Sequence, residues 1–353
     1  MTPSISIVTS VHLPDDPRIR YKTARTLVED GWNVEYVCPD PGPSDASGLR
    51  VKRLRGGRMV RSARATMHVL RSGADVVVVN DPELLPAAIT RGTLRGRRRS
   101  VFDLHEHVPA ALRTRRRTPR WLRGPTAAIA GWLIRVAGRV STVTLAEEGY
   151  QALVPGNAPV FPNLPIVDDL PLRDADAHGY VSVGDITDER GAELLVDAVA
   201  SIGRPVRLTM IGRCPDELRA RLGRVAEGRI DLELPGFLPY EEAWNLAARH
   251  AVGVSPLLDL PNYRESLPTK VLEYRAVGLA PVVSDLAASL DAIDGSSAAR
   301  SFRAGDVASL ADALQSASEA ENLVTALEEA PTVRAGVAWP AREVAAFYRS
   351  LVA

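Results

Sequence analysis

The sequence predicts an α/β protein built from two doubly wound domains, each a parallel sheet covered by helices. Three observations predict it. At 353 residues the chain exceeds one ordinary domain, and two is the expected number. Short, apolar, β-branched runs alternate with helical patterns, as strands buried on both faces of a parallel sheet do. The series occurs twice, once in each half, with a break at FPNLPIVDDLPLRDADAHG, residues 161–179, where prolines and aspartates replace periodic structure.

In the first half, strands are expected over residues 5–10, 34–38, 75–80, 100–104, 140–145 and 159–161, with an amphipathic helix over 17–30 ended by Gly31. In the second half they are expected over 180–183, 207–211, 230–234, 251–255 and 280–284. The implied organisation is an N-terminal domain over 1–165, a linker over 166–179 and a C-terminal domain over 180–335. A terminal helix over 336–353 is expected to pack back toward the N-terminal domain. Asp174 and Asp176 have the look of a metal-binding pair, but a polar linker explains them equally well, and no metal site is expected.

With 46% hydrophobic and 24% charged residues the chain can bury full cores and is not a disordered polymer. Cys38 and Cys214, far apart and without metal-ligand spacing, suit a reducing compartment. The N-terminus has no charged stretch followed by an apolar one, and the longest apolar run, 125–134, is too short to span a bilayer. The expected location is therefore the cytoplasm. The zero net charge hides an asymmetry, because residues 1–175 hold 26 basic and 17 acidic residues and residues 176–353 the reverse. Only three of the 43 basic residues are lysines, Lys22, Lys52 and Lys270.

The most informative stretch is RESLPTKVLEYRAVGLAPVVSD, residues 264–285. Pro268 suits the first turn of a helix and Gly278 the position that ends one, which predicts a helix over 268–277. A helix start offers free N–H groups and a positive dipole end to a phosphate, and Lys270 adds a cation there. A carboxylate accepts hydrogen bonds from neighbouring sugar hydroxyls, and Glu265 and Glu273 stand on either side of this helix start. Hydroxyls, phosphates and hydroxyls in series are the outline of a nucleotide-sugar. Glu-x7-Glu alone is a common chance spacing, and an ordinary helix with two solvated glutamates would show it too.

The stretch resembles the donor-binding signature of retaining glycosyltransferases of family 4, which have the two-domain GT-B fold. Four further segments are similar to that family in its order: DPRIRYKTARTLVEDGWNVEYV from Asp16, VVVVNDPELLP from Val76, VFDLHEHVP from Val101 and VGDITDERGAELLVDAV from Val183. The resemblance runs from Ile5 to Asp285. It implies two Rossmann-like domains facing across a cleft, with an acceptor side in the N-terminal domain and a nucleotide-sugar side in the C-terminal one.

The resemblance also implies roles. Glu273 would hold the ribose hydroxyls and Glu265 the hydroxyls of the donor sugar. Backbone amides at Leu267 and Thr269 would lie near the diphosphate, where Pro268 has none to give. Gly184 and Arg190 match the phosphate loop, Arg190 replacing the usual lysine. Asp185 departs from the pattern, standing where a diphosphate cation is usual, and Lys270 could supply the missing charge. His105 matches the active-site histidine, so His105 and Glu265 are the catalytic positions the resemblance implies. Asp81, Arg18 and Glu106 fall on the acceptor side. His107 reads as a supporting residue, and His68 and His250 as helix-face residues.

The expected activity is retaining transfer of a hexose from a nucleoside-diphosphate sugar, a UDP-sugar, to a hydroxyl acceptor such as an envelope glycan, a lipid-linked sugar or a natural product. No cofactor and no metal are expected. A sugar-nucleotide epimerase of the same fold, or a donor-binding partner protein with weak catalysis, would share most of these features. Eleven arginines between Arg91 and Arg123, with Trp121 and Trp132, suit an anionic membrane surface and the inner face of a membrane. A merely solvated basic face has the same composition. No nucleic-acid-binding motif accompanies the charge.

Overall fold

The computed structural model describes residues 2–40, 49–114, 119–203, 206–264 and 266–353. The chain divides into two compact units, Met1–Asn163 with Trp339–Ala353, and Leu164–Ala338.

The first unit holds six strands, β1 (Ser4–Val8), β2 (Asn33–Pro39), β3 (Leu49–Leu54), β4 (Val76–Val79), β5 (Ser100–Leu104) and β6 (Thr142–Leu145). They pair in the order β3-β2-β1-β4-β5-β6, all parallel. The four valines of β4 are fully buried, as a strand covered on both faces requires. The sheet changes direction of growth between β1 and β4, and in open parallel sheets ligands collect beyond the carboxyl ends of the strands at such a point.

The second unit repeats the design with β7 (Tyr180–Val183), β8 (Val206–Ile211), β9 (Ile230–Gly236), β10 (Val252–Ser255), β11 (Ala280–Ser284) and β12 (Arg300–Phe302). The order is β12-β11-β10-β7-β8-β9, again all parallel, with the switch between β7 and β10. Each unit has its own apolar core.

Several expectations change. Strands β3 and β12 are edge strands that the apolar pattern does not reveal. The β3 sequence LRVKRL alternates charge, and β12 has three residues. The strand expected over 159–161 is reduced to one bridge, Val160 with Leu145. The strand expected to reach Ser10 ends at Val8, because Thr9 and Ser10 turn to bond Asp81. The 166–179 segment is no free linker. Arg173 within it is buried and donates to the carbonyls of Gly278 and Leu323 at 2.8 and 2.7 Å, which ties the segment into the second unit. The terminal residues from Trp339 belong to the first unit, where the Trp339 indole donates to Thr26 Oγ1 at 3.0 Å.

Candidate functional site

In the second unit the helix Thr269–Val277 follows the bend after β10, with Pro268 at its cap and Gly278 in the left-handed conformation at its end. Its side chains build the floor of the switch point. The Tyr274 ring lies over Gly253, where a Cβ would stand 2.3 Å from the ring, so β10 needs glycine there. The Tyr274 hydroxyl accepts from Val183 N at 2.8 Å and donates to Val254 O at 3.3 Å, which fixes the ends of β7 and β10 to one another.

One residue earlier, Glu273 is buried and accepts a 2.9 Å hydrogen bond from Tyr240 Oη. Burial and the Glu273 carboxylate both push the Tyr240 phenol far up, so it stays a donor at every working pH. Tyr240 therefore sets the orientation of Glu273, a role no local sequence pattern announces.

Gly184 follows β7 with φ of 120°, and its neighbour across the sheet, Gly212, is so close that a Cβ would meet the Gly184 carbonyl at 1.9 Å. Gly191, with φ of 75°, would collide with the Pro256 carbonyl in the same way. These contacts hold the 184–191 loop against the ends of β8 and β10. Arg190 is thereby laid beside Gly184, its Nη1 3.3 Å from where a Cβ would be. Lys270 is half-buried in the same neighbourhood, and its ammonium is pushed down to about 7 by desolvation and then by the Arg190 guanidinium, with Glu273 acting the other way. Among the described residues neither head group has a hydrogen-bonded or ion-paired partner. Two cations held together, neither directly paired among the described residues, make a site for an anion.

Asp185 has a cation of its own. Its carboxylate stands 3.8 Å from Arg213 Nε, and the Arg213 guanidinium lies 5.0 Å over the exposed Phe237 ring. Arg213 and Phe237 follow β8 and β9 directly, and both lie at the carboxyl end of the sheet.

In the first unit the loops after β1, β4 and β5 meet. Asp103, at the penultimate position of β5, is buried and receives Arg18 through Nε at 3.2 Å and Nη2 at 3.0 Å, Thr144 at 2.8 Å and His105 Nε2 at 2.6 Å. Burial opposes its charge, but Arg18 and then His105 hold the carboxyl far below the usual range. Because Asp103 is anionic, the His105 ring donates to it from Nε2, and Nδ1 is the ring nitrogen not committed to Asp103. Asp81 is likewise buried and takes hydrogen bonds from Thr9 Oγ1, Ser10 N and Ser10 Oγ at 3.0, 2.5 and 2.9 Å.

Residues 177–319 match the family model described as glycosyl transferases group 1. The chain carries a group 1 glycosyltransferase domain. No curated protein matches the chain in sequence. In fold the chain is similar to the sucrose-phosphate synthase of Thermosynechococcus elongatus, with 16% identity, coverage of 100% of this chain and 99% of that one, and a TM-score of 0.72. It is similar to Anabaena Alr3699/HepE, solved in complex with UDP-glucose, with 12% identity, 99% of each chain and a TM-score of 0.68. A third similar structure is WaaG, a glycosyltransferase involved in lipopolysaccharide biosynthesis, with 12% identity, 97% and 98% coverage and a TM-score of 0.70. The fold is GT-B, and the protein is a glycosyltransferase.

Of the expected donor-side residues, Gly184, Arg190, Lys270, Thr269, Leu267 and Glu273 come together in the second unit. Glu265 lies outside the described residues. On the first unit Asp81, His105 and Glu106 share one neighbourhood. Arg18 is a correction: it is buried, and besides Asp103 it donates to Phe161 O at 2.8 Å, so it is committed to the fold and not to an acceptor. His107 caps the helix Val108–Thr114 by accepting from Ala110 N, and His68 pairs with Glu35. His250 lies not on a helix face but in the buried turn after Tyr240–Ala247, bonded to Thr209. Among the described residues no group of three or more His, Cys, Asp or Glu could hold a metal ion.

Proposed function

We propose that the protein is a retaining, family 4 glycosyltransferase that moves a hexose from a UDP-sugar to a hydroxyl acceptor. One observation carries the reading: Arg190 and Lys270 sit together beside Gly184 with no hydrogen-bonded or ion-paired partner on either head group among the described residues, and the oriented carboxylate of Glu273 lies on the next turn of the Lys270 helix. A nucleoside diphosphate satisfies all of these at once, phosphates on the cations and ribose hydroxyls on Glu273. The UDP-glucose bound by the Anabaena relative supports uridine as the nucleoside. Asp185, the departure from the family pattern, has Arg213 as its answering charge.

In the reaction the bond between the anomeric carbon and the diphosphate oxygen breaks, and its electron pair leaves with UDP. The acceptor oxygen bonds to that carbon on the same face and gives its proton to the departing phosphate. Arg190 and Lys270 stabilise the charge that builds on the leaving group, which is where electrostatic catalysis acts. Turnover is therefore expected to survive chelation of divalent metals. Glu265 and His105 act on the sugar.

A titration with UDP and a donor-consumption assay test this. UDP should bind, and the product should keep the donor's anomeric configuration by NMR. Glu265→Gln and His105→Ala should titrate normally with UDP while product formation falls by about two orders of magnitude. Absence of UDP binding, or an inverted product, would sink the proposal.

The acceptor side is proposed to work at an anionic membrane surface. The helix Arg120–Val140 buries Ala127, Ala130, Ile134 and Ala137, and its opposite face presents Trp121 and Trp132, 75% and 60% exposed, with Pro125, Ala128 and Ile129 between them and Arg135 and Arg139 alongside. An outward apolar stripe edged by arginine suits the headgroup region of a bilayer. No helix among the described residues is long and apolar enough to cross one.

A further inference from the structure

His12 stands in the loop after β1, and no sequence motif marks it. Its Nδ1 lies 3.2 Å from Asp16 Oδ2 and its Nε2 3.5 Å from Asp81 Oδ1. Both carboxylates are fixed by other bonds. Asp16 caps the following helix through Arg18 N and Ile19 N, and Asp81 is held by Thr9 and Ser10. The ring is about one-third exposed and meets His105 edge-on, centroids 5.6 Å apart. Beside His105 the buried Asn80 amide touches Nε2 at 3.2 Å and keeps one polar atom without a partner among the described residues.

The charge around this pair is acidic. Asp16, Asp81 and Glu106 all face His12. Glu83, from the loop after β4, bonds Ser10 Oγ and is engaged by Arg58. The cations nearby are spent: Arg18 on Asp103 and Phe161, Arg61 on the carbonyls of Ser10 and Gly56. A phosphate brought here would meet three carboxylates, with Arg18 and Arg61 already bonded elsewhere, whereas hydroxyls and ammonium groups would find acceptors at carboxylates and at His105 Nδ1.

Resting on the glycosyltransferase reading, we propose that His12 and His105 form a paired-imidazole acceptor subsite, and that it takes a neutral polyol or an amino sugar and rejects a sugar phosphate. His12 is the positioning member, oriented by Asp16 and Asp81, and His105 Nδ1 accepts from a hydroxyl of the acceptor other than the one that attacks. Burial disfavours the charged form of His12, but Asp16 and then Asp81 and Glu106 prevail and raise it above its usual value, which keeps the two carboxylates partly neutralised.

The test uses the full chain saturated with UDP, labelled at its histidines, and titrated with glucose, glucosamine and glucose 6-phosphate. Histidine resonances are assigned from His12→Gln and His105→Gln. The expected result is that glucose or glucosamine shifts both His12 and His105, that glucose 6-phosphate binds at least about ten-fold more weakly, and that His12→Gln loses about ten-fold in sugar affinity with UDP affinity unchanged. Asp81→Asn should lower the midpoint of the His12 titration. Tighter binding of the phosphate, sugar affinity unaffected by His12→Gln, or no shift of His12 with any of the three overturns the subsite. Because the readout needs no turnover, a failure of the donor reaction is seen separately in the donor-consumption assay.

Discussion

The Lys270 ammonium, already disfavoured by desolvation, stands near enough to the Arg190 guanidinium that the two charges oppose one another, and the lysine is pushed down to about 7. A bound diphosphate would reverse the balance by placing negative charge between them. UDP binding at pH 8, where most of the free lysine is neutral and UDP is fully ionised, should therefore take up close to one proton. Calorimetry in buffers of different ionisation enthalpy measures it. Lys270→Met should abolish the uptake, and unchanged uptake in that variant would assign the proton elsewhere.

Glu273 with its Tyr240 donor gives a second expectation. Glu273→Ala should weaken UDP binding by about 1.5–3 kcal/mol, the range for hydrogen bonds to charged groups. Tyr240→Phe leaves a buried carboxylate short of a donor and should cost about 1–3 kcal/mol of stability in urea unfolding, with a smaller loss of UDP affinity. A folded Glu273→Ala protein that binds UDP like wild type would remove this carboxylate from the site.

Arg18 should behave as part of the fold. Arg18→Met strips Asp103 of its strongest partner and should cost about 3–5 kcal/mol at neutral pH, as breaking one side of a buried pair does. The sign with pH follows from the depressed folded value of Asp103 in the wild type. That contribution is present above the unfolded value of about 4 and is lost as pH falls through the folded one. In the variant the carboxyl is raised instead, so the gap between the two proteins should narrow on acidification through about pH 4. Denaturant unfolding at pH 7 and pH 4 measures the gap; a gap that is constant with pH contradicts the assignment.

Membrane contact through the Arg120–Val140 helix should appear as a blue shift of tryptophan emission on adding vesicles with anionic lipid, and little with zwitterionic vesicles. Trp121→Ala with Trp132→Ala should weaken vesicle binding at least about ten-fold, and salt should weaken it further. Equal binding to both vesicle types would remove the electrostatic part of the argument.

What the sequence discloses and what it withholds follow from how local the signals are. The valines of β4 and the Pro268 and Gly278 that bound a helix act through neighbouring residues, so they can be read directly. The edge strands β3 and β12 lack a continuous apolar run, because an edge does not need one. His12 is silent in the sequence because its meaning comes from Asp81, 69 positions away, brought beside it by the pairing of β1 with β4. Arg18 misleads for the same reason, since its partner Asp103 arrives with β5. The answer to Asp185 is Arg213, which only the adjacency of β7 and β8 makes visible.

The press of Gly212 against Gly184 has a mechanical consequence. With no room for even a methyl group between them, the loop carrying Arg190 and the loop carrying Arg213 cannot shift independently, and Ile186 N bonded to Arg213 O at 2.8 Å locks them further. The two loops move as one jaw. Its shape is settled when the unit folds, so a ligand arriving there loses little entropy to ordering the protein. An alanine at position 212 would have to part the jaw before any nucleotide reached it, and its effect would appear as slower, weaker binding with no charged group removed.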